Sequence, residues 1–184
     1  MFKSKLKCLL ITLFDVKGLV NYEFVPEGQT INQHYYLDVL RSLREAVRQK
    51  RPEKWPKKNC VLHHYNARPH TAVTVQLYSA KHGIALLPQP PYSPDIAPND
   101  FFVYPKIKKV LKGRRFDSIS EIKENSKNIL KSLKDEDFQR CFDIWKKKME
   151  QVGIAIVLLV SHISEFLVHG YRSGSGLTTP YFAL

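Results

Sequence analysis

The chain has 184 residues, 43% of them hydrophobic and 11% aromatic, enough to bury the core of one ordinary domain and too apolar for a chain disordered throughout. Its 29 Lys and Arg against 17 Asp and Glu give a formal charge of +12, a balance that suggests a polyanionic partner, most often nucleic acid. The three cysteines, Cys8, Cys60 and Cys141, are far apart and form no CxxC pair, so neither a zinc ribbon nor a disulfide framework is indicated, which fits a reducing compartment.

The opening MFKSKLKCLLITLF has a basic start and a short apolar run. Asp15, Lys17 and Gly18 follow where a secretory signal would show a small-residue cleavage site, so the segment reads as a strand ending in a turn. Leu6 to Phe14 and Leu19 to Phe24 read as two strands around Asp15-Val16-Lys17-Gly18, a tight-turn sequence with a glycine free to take positive φ. Thr30 and Gln33 have capping-box spacing for a helix that carries Tyr36, Leu40, Leu43 and Val47 on one stripe and stops at Pro52. Cys60 to His64 is a short strand. Pro69 suits the first turn of a helix running to about Lys81 and ending at Gly83.

Ile84 to Leu87 reads as a further strand, followed by a loop forced by Pro88, Pro90, Pro91 and Pro94. A helix from Pro98 or Asn99 to Gly113 comes next. Ser118 and Glu121 cap a helix to about Leu133, and Asp135 opens a last one to about Glu150. The order β-β-α-β-α-β-α-α-α indicates an α/β domain with a mixed sheet. Residues 151–184 hold only Glu165 and Arg172 as charged residues, so a boundary near Gln151 is expected, with an atypical apolar tail beyond it. Within that tail Ile154 to Val160 is β-branched and apolar; it reads as a packed helix or strand and is too short for a membrane span.

The strings HHYNARPHTA, residues 63–72, and PPYSPDIAPNDFF, residues 90–102, resemble the two best-marked blocks of mariner-family transposases. LFDVKG, FVPEGQTINQHYY, RQKRPEKW, LKGRRFDS and FQRCFDIWKKKME agree in order and spacing, so the resemblance spans roughly residues 5–150. A methyltransferase–transposase fusion carries the same module. The resemblance implies an RNase H-like fold, a mixed sheet with flanking helices. The family reaction is cleavage and strand transfer at transposon ends, with three acidic residues holding two Mg²⁺ or Mn²⁺ ions.

In the family the second acid stands in H-D-N-A and the third in S-P-D-x-x-P-x-D, 34 intervening residues later. Here Tyr65 and Asp100 match those positions, and residues 66–99 between them also number 34. Asp100 thus matches the third acid and Tyr65 replaces the second. The first acid belongs to a G-D-E-K-W block on the first strand, which is not found, so the chain is expected to lack that central strand and to leave its two neighbours without their common partner. A sticky sheet edge and marginal stability follow from that expectation.

A phenol is neutral at pH 7 and longer than a carboxymethyl group, so Tyr65 cannot replace an aspartate as a ligand. With Asp100 as the sole remaining acid, no bound metal and no transposase activity are expected. Asp15 reads as a turn residue and Asp95 as a loop or cap residue. His63 and His64 point to opposite faces of a strand and cannot easily share one ion, and His70 reads as a helix-surface or capping residue.

The basic clusters, Arg41, Arg44, Arg48, Lys50 and Arg51, then Lys106, Lys108, Lys109, Lys112, Arg114 and Arg115, with Lys146 to Lys148 beyond, are the candidate DNA-binding residues. The family's upstream helix-turn-helix domains are not seen, so binding is expected without sequence preference. The leading expectation is an inactive mariner-type remnant, nuclear if expressed, with no membrane association. The alternatives are a residual metal-dependent nuclease and an interaction module that forms homo-oligomers or pairs with an intact transposase.

Overall fold

The computed structural model describes residues 8–53, 60–87, 89 and 93–151, and the backbone of residues 166–174. The hairpin forms as its sequence dictates: β1 (Cys8–Asp15) and β2 (Gly18–Val25) pair antiparallel, with Gly18 at φ +118°. Asp15 Oδ1 accepts the Lys17 amide at 2.9 Å, which closes the turn. Helix α1 (Gln33–Lys50) follows. Its cap is Asn32, whose side chain accepts the Tyr35 amide at 2.9 Å; the Thr30–Gln33 box expected from the sequence is not used.

Strand β3 (Val61–His63) leads to two helical pieces, α2 (Arg68–Thr71) and α3 (Val73–Lys81). One helix was expected here. Ala72 takes an extended conformation (φ −59°, ψ 143°) and divides it, with Pro69 in the first turn of α2. Gly83, at φ +67°, ends the unit before β4 (Ala85–Leu87). A tight turn over Pro94–Ile96 and a widened, π-type turn over Asn99–Val103 precede α4 (Tyr104–Leu111). Then come α5 (Ile119–Ser132), capped by Ser118 Oγ on the Glu121 amide at 3.2 Å, and α6 (Asp135–Gln151). The last described element is β5 (Phe166–Gly174).

The five strands lie in the order β2-β1-β5-β3-β4. The central position is therefore occupied, contrary to the gap the sequence led us to expect. β5 runs antiparallel to β1 through seven pairs, Cys8↔Gly174 to Phe14↔Val168, and parallel to β3 through Val61↔Phe166, Leu62↔Leu167 and His63↔Val168. Both inner edges thus find backbone partners along these registers, which removes the hydrogen-bond cost that an empty slot would impose. The apolar run Ile154 to Val160, the prolines at 88, 90 and 91 and the basic residues at 54, 57 and 58 fall outside the described residues.

Alternation along the strands builds a core on each face of the sheet. Leu10, Phe14 and Val61 point toward α4, α5 and α6, where Ile107, Leu130, Phe138, Phe142, Trp145 and Met149 meet them. Ile11, Leu13 and Leu62 point the other way, toward Tyr36, Val39, Leu40 and Leu43 of α1 and Val75 of α3. Trp145 is fully buried and donates its indole N–H to the Ile96 carbonyl at 2.9 Å, tying α6 to the loop that leads into the site. Helices thus cover both faces of a mixed sheet, the α/β architecture expected. All three cysteines are free thiols.

Candidate functional site

Two segments converge where β3 ends. After His63 the chain leaves the sheet, and Tyr65 sits two residues on. The π-type turn carries Asp100. The Tyr65 hydroxyl donates to Asp100 Oδ2 at 2.6 Å, and both side chains are half-buried. Residues that match two acids of the resembled family, separated by 34 others in the chain, are thereby brought into contact. The turn that holds Asp100 is anchored from beneath. Asn99 is buried, its side chain hydrogen-bonds the Thr12 hydroxyl, and its Nδ2 lies 3.5 Å from the Thr12 carbonyl. Residue-by-residue reading missed this anchor; its only signal was a polar Thr12 amid apolar strand residues.

The histidines form a buried layer behind Tyr65. His63 packs at a tilt against Trp145 on one face, with ring centroids 5.2 Å apart, while His64 and His70 lie on the other face with Tyr36. The opposite-face expectation for His63 and His64 therefore holds. That for His70 does not: it is fully buried, stacks 4.0 Å from the Tyr36 ring, and its Nδ1 lies 3.1 Å from the Tyr65 carbonyl. The apolar packing surface of Tyr36 draws His70 inward from the helix. The Tyr36 hydroxyl meets His64 Nδ1 at 2.9 Å.

Burial holds all three imidazoles far below their ordinary value, His63 and His64 at about 4 and His70 at about 3. They are neutral structural rings near pH 7. Among the described residues no group of three or more His, Cys, Asp or Glu is placed to hold a metal ion. Asp95 is exposed in the Pro94–Ile96 turn.

The basic residues divide into two kinds. On α1, Arg41 pairs with Asp38, Arg48 with Glu45 at 2.9 Å, and Lys50 donates to the Val20 carbonyl at 2.7 Å. Arg44 is half-buried. Arg51 turns inward. Its Nε and Nη2 reach Asp15 at 2.8 and 2.9 Å, a two-pronged bond to a carboxylate that is 1% exposed. That hydrogen bond raises the arginine's pKa further.

Around the end of α4 the pattern differs. Lys106 is bound to Asp137 at 2.8 Å and Arg114 to Asn125 at 3.1 Å. Lys108, Lys109, Lys112 and Arg115 make no ion pair with another described residue, and all but the half-buried Lys108 are exposed.

Residues 3–57 match the family model described as transposase (partial DDE domain). The chain is 34% identical over 119 residues to the Mariner Mos1 transposase of Drosophila mauritiana, and 31% identical over 111 residues to human histone-lysine N-methyltransferase SETMAR. The crystal structure of the catalytic domain of Mos1 superposes with a TM-score of 0.74 at 30% identity, covering 82% of this chain and 74% of that one. The chain belongs to the mariner family of transposases.

Within that family it spans a part: 64% of this chain aligns with 34% of Mos1, and 60% with 16% of SETMAR. The Mos1 paired-end complex with Mg gives a TM-score of 0.75 at 28% identity, covering 84% of this chain and 45% of that one. The mixed α/β fold with helices on both faces is the mariner catalytic-domain fold.

Proposed function

We propose that this chain is a mariner-type catalytic-domain relative that neither cuts nor joins DNA, and that it holds nucleic acid without sequence preference through its basic surface. The observation that carries the first half is the Tyr65–Asp100 hydrogen bond. Two-metal chemistry needs several carboxylate oxygens aimed at one point. Here a phenol stands where the second acid belongs and donates to an oxygen of the third. β5, which takes the central place in the sheet, contains no Asp or Glu.

The Mos1 catalytic domain has been solved with Mg and with Mn. The donor set at this site, one carboxylate already bonded by a phenol, does not fit such an ion. The replacement of a carboxylate by a phenol supports an inactive site independently of the overall fold.

The nucleic-acid half rests on the charge of +12 and on the segment around the end of α4, where six basic residues lie between Lys106 and Arg115 with no acid among them. Such a surface neutralises phosphates without reading bases. Mos1 is known in complex with its left transposon end, as a paired-end complex. By analogy we place this chain on DNA in the nucleus, alone, as a homo-oligomer or beside an intact transposase.

Incubating the purified chain with supercoiled plasmid and Mg²⁺ or Mn²⁺ tests the catalytic half. No nicked product is expected from the wild type or from Tyr65→Asp alone. Nicking that disappears in Asp100→Asn would overturn the proposal. Fluorescence anisotropy with unrelated duplexes tests the binding half: affinities should agree between sequences and weaken steeply with salt. Sequence-selective or salt-insensitive binding would count against it.

A further inference from the structure

The central strand has an unusual origin. β5 is joined to neither neighbour by a turn. Its partners in β1 lie 154 positions away at Phe14↔Val168 and farther at Cys8↔Gly174, and its partners in β3 lie 105 positions away at Val61↔Phe166. Fourteen residues, 152–165, separate α6 from β5, a length of chain that spans at most about 50 Å. Contacts this distant in sequence close late, because the loop entropy must be met before the pairs form.

A chain whose β5 is undocked therefore presents two things at once. It has a free strand, and it has a slot bordered by the inner edges of β1 and β3. These are the two halves of one complementary pair. Open strand edges recruit other strands, and the best match for this slot in a solution of this protein is the same strand of another copy.

We propose that residues 166–174 exchange between copies, so that two chains fill each other's central slot and close as a two-fold dimer. Every backbone pair of the single chain is retained in the exchanged form, so the two forms differ chiefly in the entropy of association. The strand's own slot competes through a tether of fourteen residues, which gives it a high effective concentration. Exchange is accordingly set by the concentration at which the protein folds, and the dimer persists once formed because releasing it opens both slots.

The register supplies the test. Cys8 is the partner of Gly174, and antiparallel partners sit at a Cα separation that a disulfide spans. In the full chain, Gly174→Cys should form an intramolecular 8–174 disulfide under mild oxidation when refolded at low concentration. For exchange, a Gly174→Cys chain that also carries Cys8→Ser is isotopically labelled and co-refolded with wild type at increasing concentration. A mapped disulfide between wild-type Cys8 and the labelled chain's position 174, rising with refolding concentration, is the expected result.

Light scattering on unsubstituted protein provides a second readout, since the dimer fraction should rise in parallel. Closure within one chain without any link between chains overturns the proposal. So does a monomer mass at every refolding concentration. Failure of the intramolecular link to form overturns it as well, because β5 would then not occupy the slot.

Discussion

Asp15 is 1% exposed and both its oxygens are held by the Arg51 guanidinium, with the Lys17 amide on Oδ1 as well. Truncation of Arg51 removes a two-pronged charged bond from a buried carboxylate, so Arg51→Ala should lower stability by about 3 kcal/mol in urea denaturation. Arg41 pairs with Asp38 at the surface, and Arg41→Ala should cost less than about 0.5 kcal/mol. Both arginines look alike in the sequence, as members of one basic run. Nothing local distinguishes them, because the partner that decides Arg51's role lies 36 residues earlier in a turn.

The site at Tyr65 was more legible. The 34-residue spacing aligned Tyr65 and Asp100 with two acids of the family pattern, and the two side chains are in contact. The Asn99–Thr12 anchor and the inward turn of His70 depend on tertiary packing and left no periodic trace. The histidines also predict a pH dependence. Their folded pKa values lie below the ordinary 6.5, so the folded state binds fewer protons than the unfolded one. Stability is full above about pH 6.5 and falls as the pH drops toward 4, by on the order of 1.4 kcal/mol per pH unit for each histidine. Thermal midpoints at about pH 7.5 and about pH 5, on either side of that ordinary value, should differ accordingly, and His64→Gln should reduce the difference.

Among the elements, the helices came through with their types correct and their ends displaced. The start of α1 is a case with a measurable consequence. Asn32 supplies the cap, so Asn32→Ala should cost about 1 kcal/mol while Thr30→Ala leaves stability nearly unchanged, as read from paired denaturation curves. Capping-box spacing pointed to Thr30 because Gln33 satisfies the pattern, yet an Asn one residue before the helix competes for the same role and wins on position. The division of α2 from α3 at Ala72 carries no Gly or Pro signal. The widened turn at Asn99–Val103 is likewise invisible in composition, although wide helical turns recur at functional sites and this one delivers Asp100.

For the molecule as a whole, the two basic clusters should behave differently toward DNA. Replacing Lys108, Lys109, Lys112, Arg114 and Arg115 with Gln should flatten the slope of log affinity against log salt by about 0.9 for each phosphate that is no longer neutralised. The Arg41→Gln, Arg48→Gln pair, whose charges already answer Asp38 and Glu45, should change that slope little.

The sheet order adds a consequence for how the protein is made. A ribosome releases β1 to β4 and α1 to α6 before it releases β5, the strand that joins the two halves of the sheet. Until residues 166–174 are made, β2-β1 and β3-β4 are two half-sheets with facing open edges, the kind of surface that is prone to aggregate during synthesis. A stop codon or proteolytic cut after α6 would remove the last 33 residues and, with them, the keystone of the sheet.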